Sequence, residues 1–83
     1  MNETLKKIVK DIEHLSWYEK IGYLRRLQGI KKGEMVRKCS TYRANYKNWE
    51  SGKVYPSKLN RILIARGLNV VPSVIFKKSD VRR

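Results

Sequence analysis

The chain has 83 residues, the length of one small domain, with too little interior for a deep catalytic cleft. It carries 20 Lys and Arg against 7 Asp and Glu, a formal net charge of +13, and such an excess favours a polyanionic partner, either nucleic acid or a membrane surface. Cys39 is the only cysteine, which excludes an intramolecular disulfide, and no stretch approaches the ~18 apolar residues of a membrane span, so we expect a cytoplasmic protein with no membrane contact.

Residues 1–15 predict an extra N-terminal helix. Its apolar residues repeat at i, i+3, i+7 and i+10 and so share one stripe, which consists of Leu5, Ile8, Ile12 and Leu15. This stripe either covers the core of the domain or forms a dimer interface. We favour the first alternative, because so small a domain needs the additional buried area.

Residues 17–76 form the predicted core of the domain, and its first helix begins near Trp17. Ser16 and Glu19 have the spacing of a capping box, in which each side chain binds the backbone amide of the other. Gly29 is suited to end this helix. The predicted inner face consists of three apolar residues, Ile21, Leu24 and Leu27.

Two short helices are predicted next, separated by a turn at residues 40–41. The first covers residues 31–39, and its inward residues are Met35, Val36 and Cys39. The second covers residues 42–51 and ends before Gly52. Tyr46 and Trp49 are spaced i, i+3 on this second helix, so we expect them in the core and not as base-stacking aromatics.

A fifth helix is predicted to open at residues 56–57, because proline suits the first turn of a helix, and to end at Gly67. Its predicted apolar face consists of Leu59, Ile62, Leu63 and Ala65. Residues 72–76 predict one last turn, and residues 77–83 form a basic tail. The expected fold class is therefore all-α with five to six helices.

The pair of short helices, with a further helix on either side, describes a helix-turn-helix. A helix is narrow enough to enter the major groove of DNA, where its exposed face reads base edges. The preceding helix contacts phosphates and so fixes the angle of entry.

From about residue 18 to residue 68, the chain resembles the lambda-repressor/Cro type (Xre-like) of helix-turn-helix domain. The strongest part of the resemblance is the segment 48–57, NWESGKVYPS, which fits the W-E-x-G-x-x-x-P-S signature of that family. The chain departs from the family in the middle of the motif. It has Lys32, Val36 and Ser40 where the family favours Gln, Ala and Gly.

The resemblance implies specific roles for residues of this chain. The implied base contacts are Tyr42, Arg43, Ala44, Asn45, Lys47 and Asn48. Of these, Arg43 suits a guanine, and Asn45 or Asn48 suits an adenine. The implied phosphate contacts are Lys31, Lys32, Lys53, Tyr55 and Lys58. Arg25 and Glu50 resemble a family ion pair that ties an earlier helix to the recognition helix.

The resemblance implies a nucleoid-associated, sequence-specific binder of double-stranded DNA, a bacterial or phage transcriptional repressor or regulator acting as a homodimer. We expect no enzyme, because no nucleophile–base pair, paired carboxylates or glycine-rich phosphate loop is present. We expect no cofactor or metal, because His14 has no second ligand at metal spacing. Two alternatives stay open. One is a protein-interaction module, such as an antitoxin or nuclease inhibitor. The other is a non-specific nucleic-acid coating protein.

Overall fold

The computed structural model describes residues 3–80, which form six α-helices, one 3-10 turn at Lys78–Asp80 and no β-strand. The helices are α1 (Glu3–Ile12), α2 (Trp17–Leu27), α3 (Lys32–Lys38), α4 (Arg43–Glu50), α5 (Lys58–Gly67) and α6 (Pro72–Ile75). The predicted all-α class is therefore confirmed. The tail residues 81–83 and the side chain of Leu5, the first member of the N-terminal stripe, lie outside the described residues. Within residues 3–80, no helix is long and apolar enough to cross a membrane.

One hydrophobic core receives side chains from all six helices. Its fully buried members include Ile12, Ile21, Leu24, Met35, Tyr46, Trp49, Ile64, Ala65, Leu68 and Ile75. The apolar area that these residues remove from water is the main favourable contribution to folding.

The N-terminal helix covers the core of its own chain. Ile12 is fully buried, and Ile8 and Leu15 pack against the central cluster. This is the arrangement that the small size of the domain favoured. Helix α1 ends at Ile12, three residues earlier than expected, and Leu15 reaches the core from the turn that follows.

The predicted ends of α2 are confirmed. The backbone N–H of Ser16 donates to the Glu19 carboxylate at 3.0 Å, and the backbone N–H of Glu19 donates to the Ser16 hydroxyl at 3.4 Å. The Ser16 hydroxyl also donates to the Glu19 carboxylate at 2.7 Å, and this bond, followed by the bond from the Ser16 backbone N–H, lowers the pKa of Glu19. Gly29 follows the helix with a φ of +69°, a left-handed conformation that glycine adopts with the least strain.

The prediction for Leu27 is wrong, because this side chain is 49% exposed. Leu27 lies six residues after Ile21, about 240° around the helix axis, so the two side chains cannot share a face. The inner face of α2 instead continues from Ile21 and Leu24 to Arg25, which is buried.

The predicted apolar face of α5 is also wrong in part. Ile64, Ala65 and Leu68 enter the core, whereas Leu59 is 65% exposed and Ile62 is 37% exposed. Apolar residues occupy two neighbouring faces of this helix, and only one of them meets the core. Helix α5 begins at Lys58, after the predicted start at residues 56–57, and the hydroxyl of its N-cap Ser57 accepts from the backbone N–H of Asn60 at 3.3 Å.

Gly67 does not follow α5 as a stop signal but is the last helical residue, and Asn69 takes the left-handed conformation instead, with a φ of +62°. A Cβ on Gly67 would lie 3.0 Å from Cε of Met35. The glycine therefore permits the close approach of α3 and α5.

Candidate nucleic-acid interface

Helices α3 and α4 are joined by a tight turn at residues 39–42. Ser40 has a φ of +49°, which is the left-handed region, and it stands where the family favours glycine. The backbone N–H of Thr41 donates to the carbonyl of Val36 at 3.1 Å, which ties the turn to α3. The helices are each slightly shorter than predicted, because Lys31 and Cys39 cap α3 and residues 42 and 51 cap α4.

The inner face of α4 is fixed in the core by two aromatic side chains. Tyr46 and Trp49 are both buried, as their i, i+3 spacing predicts, and their rings meet edge to face at 6.0 Å. Edge-to-face pairs of this kind stabilise a core beyond the area that they bury. The position of α4 relative to the core is therefore determined by these two rings.

An ion pair joins α2 to the end of α4. Nε of Arg25 lies 2.8 Å from one carboxylate oxygen of Glu50, and Nη2 of Arg25 lies 3.2 Å from the other. The side chains are only 11% and 10% exposed, and Nη1 of Arg25 also donates to the carbonyl of Ile30 at 3.0 Å. The hydrogen bonds to Glu50 raise the pKa of Arg25. The pair fixes α4 along its axis, in addition to the aromatic packing.

The hydroxyl of Tyr46 is buried beside this ion pair. It has no hydrogen-bond partner of good geometry within residues 3–80, and its polar neighbours are Glu50 and Arg25. Burial, and after it the nearby Glu50 carboxylate, raise the pKa of Tyr46 far above its usual range. The phenol is therefore neutral at any physiological pH and acts as a packing group.

The outer face of α4 carries most of the predicted base contacts. Tyr42, the N-cap, is 81% exposed, and the next three residues, 43–45, are exposed as well as Lys47. Asn48 is half-buried, and its backbone carbonyl accepts from the amides of Lys53 and Val54. This face is polar and cationic, which is the chemistry needed to meet base edges and phosphates.

Cationic side chains surround the start of α3. A depression of about 420 Å³ is lined there by Lys31, Lys32, Gly33, Glu34, Arg37 and Arg43. The guanidinium of Arg43 lies against the first turn of α3, because a Cβ on Gly33 would be 3.5 Å from Nη2 of Arg43. The depression thus brings one predicted base contact, Arg43, together with the two predicted phosphate contacts at positions 31 and 32. Arg37 was not predicted to belong to this group.

The remaining predicted phosphate contacts divide into two groups. Lys53 and Lys58 are exposed around the loop after α4. Tyr55 is half-buried, and its ring packs edge to face with Trp17 at 5.1 Å and with Phe76 at 5.8 Å. Burial raises the pKa of Tyr55. Tyr55 thus differs from the expected surface residue, because its ring holds α6 against α2.

Two residues that contact the predicted site residues were not predicted from the sequence. Nδ2 of Asn45 donates to the hydroxyl of Thr41 at 2.8 Å, so Thr41 contacts a predicted base-reading side chain. The i, i+4 spacing of Thr41 and Asn45 is typical of such a contact on a helix, although Thr41 precedes the start of α4. Arg37 joins the cationic depression from the last turn of α3. The sequence does not show that Arg37 lies near Arg43, because this depends on how α3 and α4 cross.

Cys39, the C-cap of α3, does not line the depression and is buried in the core. Burial raises the pKa of its thiol to about 11. The thiolate is the reactive form of cysteine, so this thiol is unreactive at neutral pH. Cys39 therefore contributes packing, as its predicted inward position indicated, and the chemistry of the surface rests on the cationic and amide side chains.

No family model, no curated protein and no solved structure matches the chain. The resemblance to lambda-repressor/Cro domains therefore rests on the residues quoted above, chiefly on the segment 48–57.

Proposed function

We propose that the protein is a nucleoid-associated, sequence-specific binder of double-stranded DNA, a transcriptional repressor or regulator of bacterial or phage type. In this proposal α3 and α4 form a lambda-repressor-like helix-turn-helix, and α4 enters the major groove. The observation that carries the proposal is the division of α4 into two faces. Tyr46, Trp49 and Glu50 hold one face, while the other is exposed, polar and cationic.

The electrostatic part of the proposal rests on the cluster at the start of α3. Lys31 and Lys32 are exposed there beside the α4 face, and Lys53 and Lys58 continue the positive charge around the loop. Phosphate contacts of this kind position a protein on DNA without reading its sequence. The outward residues of α4 then read base edges within the groove.

A second copy of the chain is the proposed partner on DNA. Leu59 and Ile62 are exposed on one face of α5, next to Lys58. Contact between these faces of two copies removes apolar area from water. The charge of +13 opposes this contact in free solution, so association is favoured where phosphates neutralise the charge. Binding to a palindrome requires that such a dimer hold its two α4 helices about one DNA turn, ~34 Å, apart.

The test is selection of bound duplexes from a random pool. A sequence-specific dimer enriches a palindromic sequence, and random duplex competes for it only weakly. Equal competition by random duplex indicates a non-specific coating protein instead. The protein-interaction alternative is supported by a different result. In that case the protein enriches no duplex, and added nucleic acid does not release it from its partner in the cell.

Salt dependence tests the electrostatic part separately. If ~6–10 phosphates are contacted, affinity falls ~10³–10⁵-fold between 50 and 200 mM salt. Lys32→Met is expected to weaken binding to every sequence and to make this dependence less steep. Lys6→Met is the matched control, because it removes the same charge from an exposed site on α1. Equal effects of the two variants would contradict the proposed interface.

A further inference from the structure

We propose that Thr41 is a positioning residue that orients Asn45 to bind adenine at one position of the DNA site. This inference rests on the proposed function and names the base that one side chain reads. The observation behind it is the hydrogen bond from Nδ2 of Asn45 to the hydroxyl of Thr41, at 2.8 Å. Thr41 itself lies outside α4, in the turn.

The turn gives the Thr41 hydroxyl a fixed position. Ser40 follows the C-cap of α3 in the left-handed conformation, and the backbone N–H of Thr41 donates to the carbonyl of Val36 at 3.1 Å. Thr41 is half-buried, and its branched side chain has few rotamers. The hydroxyl is therefore attached to backbone that both helices hold, and it restricts the side chain of Asn45, which is otherwise exposed.

Asn45 retains the groups that adenine requires. One N–H of its amide is used by Thr41, while the second N–H and the carbonyl oxygen Oδ1 have no hydrogen-bond partner among residues 3–80. In the major groove adenine offers the N7 acceptor and the N6 amino donor, which match this pair of groups. Guanine offers two acceptors, N7 and O6, so its O6 would face Oδ1. The free groups of Asn45 therefore favour adenine over guanine.

Two other candidates on the same face are less suited to this role. Asn48 is half-buried, and its backbone anchors the loop after α4. The guanidinium of Arg43 lies against the first turn of α3 at Gly33, on the side of the proposed phosphate contacts. Asn45 is exposed in the first turn of α4, where a helix entering the groove approaches the bases most closely.

The test uses the duplex selected from the random pool. Thr41→Val keeps the branched shape and removes the hydroxyl, whereas Thr41→Ser keeps the hydroxyl. An Asn45 side chain that is no longer held must be ordered on binding, so Thr41→Val is expected to weaken affinity about 2–10-fold. Thr41→Ser is expected to restore it. The discriminating readout is the affinity for duplexes in which each A·T pair is replaced in turn by G·C.

The expected result is a loss of discrimination at one A·T position in Asn45→Ala, and a smaller loss at the same position in Thr41→Val. Thr41→Val should have no further effect in the Asn45→Ala background, because the two residues act through one contact. A merely structural role for Thr41 would weaken all duplexes alike. Equal weakening of all duplexes by Thr41→Val would overturn the inference while leaving DNA binding intact. The same holds if Thr41→Val leaves the affinity unchanged, or if Thr41→Ser fails to restore it. Failure to enrich any duplex would overturn both proposals.

Discussion

Removing one partner of the Arg25–Glu50 ion pair is expected to lower the free energy of unfolding far more than removing one partner of a surface pair. Glu50→Gln keeps the size of the side chain and removes its charge, which leaves Arg25 about nine-tenths buried without a counter-charge. Breaking a buried pair by removing one partner costs ~3–5 kcal/mol. We expect the lower end, ~3 kcal/mol, because the glutamine oxygen can still accept one hydrogen bond and because Arg25 keeps its bond to the carbonyl of Ile30.

The matched control is the exposed pair between Glu34 and Lys38 on α3. Its atoms are 3.4 Å apart, and its side chains are 42% and 39% exposed. Exposed i, i+4 pairs on helices contribute only ~0.3–0.5 kcal/mol. Glu34→Gln is therefore expected to lower the free energy of unfolding by less than ~0.5 kcal/mol.

Urea denaturation followed by tryptophan fluorescence measures the difference. For a protein of this size an m-value of ~1 kcal/mol per M is expected, so Glu50→Gln should lower the midpoint by ~3 M and Glu34→Gln by less than ~0.5 M. Equal midpoints for the two variants would refute the argument from burial. The double variant Arg25→Met, Glu50→Leu should be more stable than Glu50→Gln, because it leaves no unpaired charge in the interior.

Three further predictions concern Cys39 and the two glycines with positive φ. The Cys39 thiol should not react with Ellman's reagent in the native protein at pH 8 and should react fully in urea, and rapid native labelling would contradict its burial. Because its pKa is raised from 9.0 to about 11, the stability that it contributes is complete below pH 9 and is lost as the pH rises towards 11. A urea midpoint that falls in this range in the wild type but less in Cys39→Ala would support that sign. Gly52→Ala should cost more than Gly29→Ala, about 2 kcal/mol or more against about 1 kcal/mol. Both glycines have positive φ, but a Cβ at Gly52 would lie 2.6 Å from the ring of Tyr18, whereas a Cβ at Gly29 would meet nothing within 4 Å. Equal thermal stabilities of the two variants would contradict this reasoning.

The sequence predicts an inner face correctly where one apolar stripe is present. The spacing of Tyr46 and Trp49 leaves α4 a single way to meet the core. Helix α5 has apolar residues on two adjacent faces, so periodicity alone does not show which of them is buried. The exposure of Leu59 and Ile62 depends on the direction from which α3 and α6 pack against this helix.

The candidate site is likewise predictable in part. The outward position of residues 42–45 follows once the inner face of α4 is known. The contact between Thr41 and Asn45 depends on the left-handed turn at Ser40, which the residue type does not indicate. The direction of Arg43 depends on the distance between α3 and α4, and therefore on packing between elements.

The separation of the two faces of α4 has an evolutionary consequence. Residues 42–45 and Lys47 lie outside the core, so most substitutions there alter the free energy of unfolding by no more than about 0.5 kcal/mol. A duplicated copy of this chain can therefore acquire a different set of outward side chains by single mutations, without passing through unfolded intermediates. Laboratory libraries restricted to these five positions should for the same reason consist mostly of folded variants, which makes α4 a practical site for redesign.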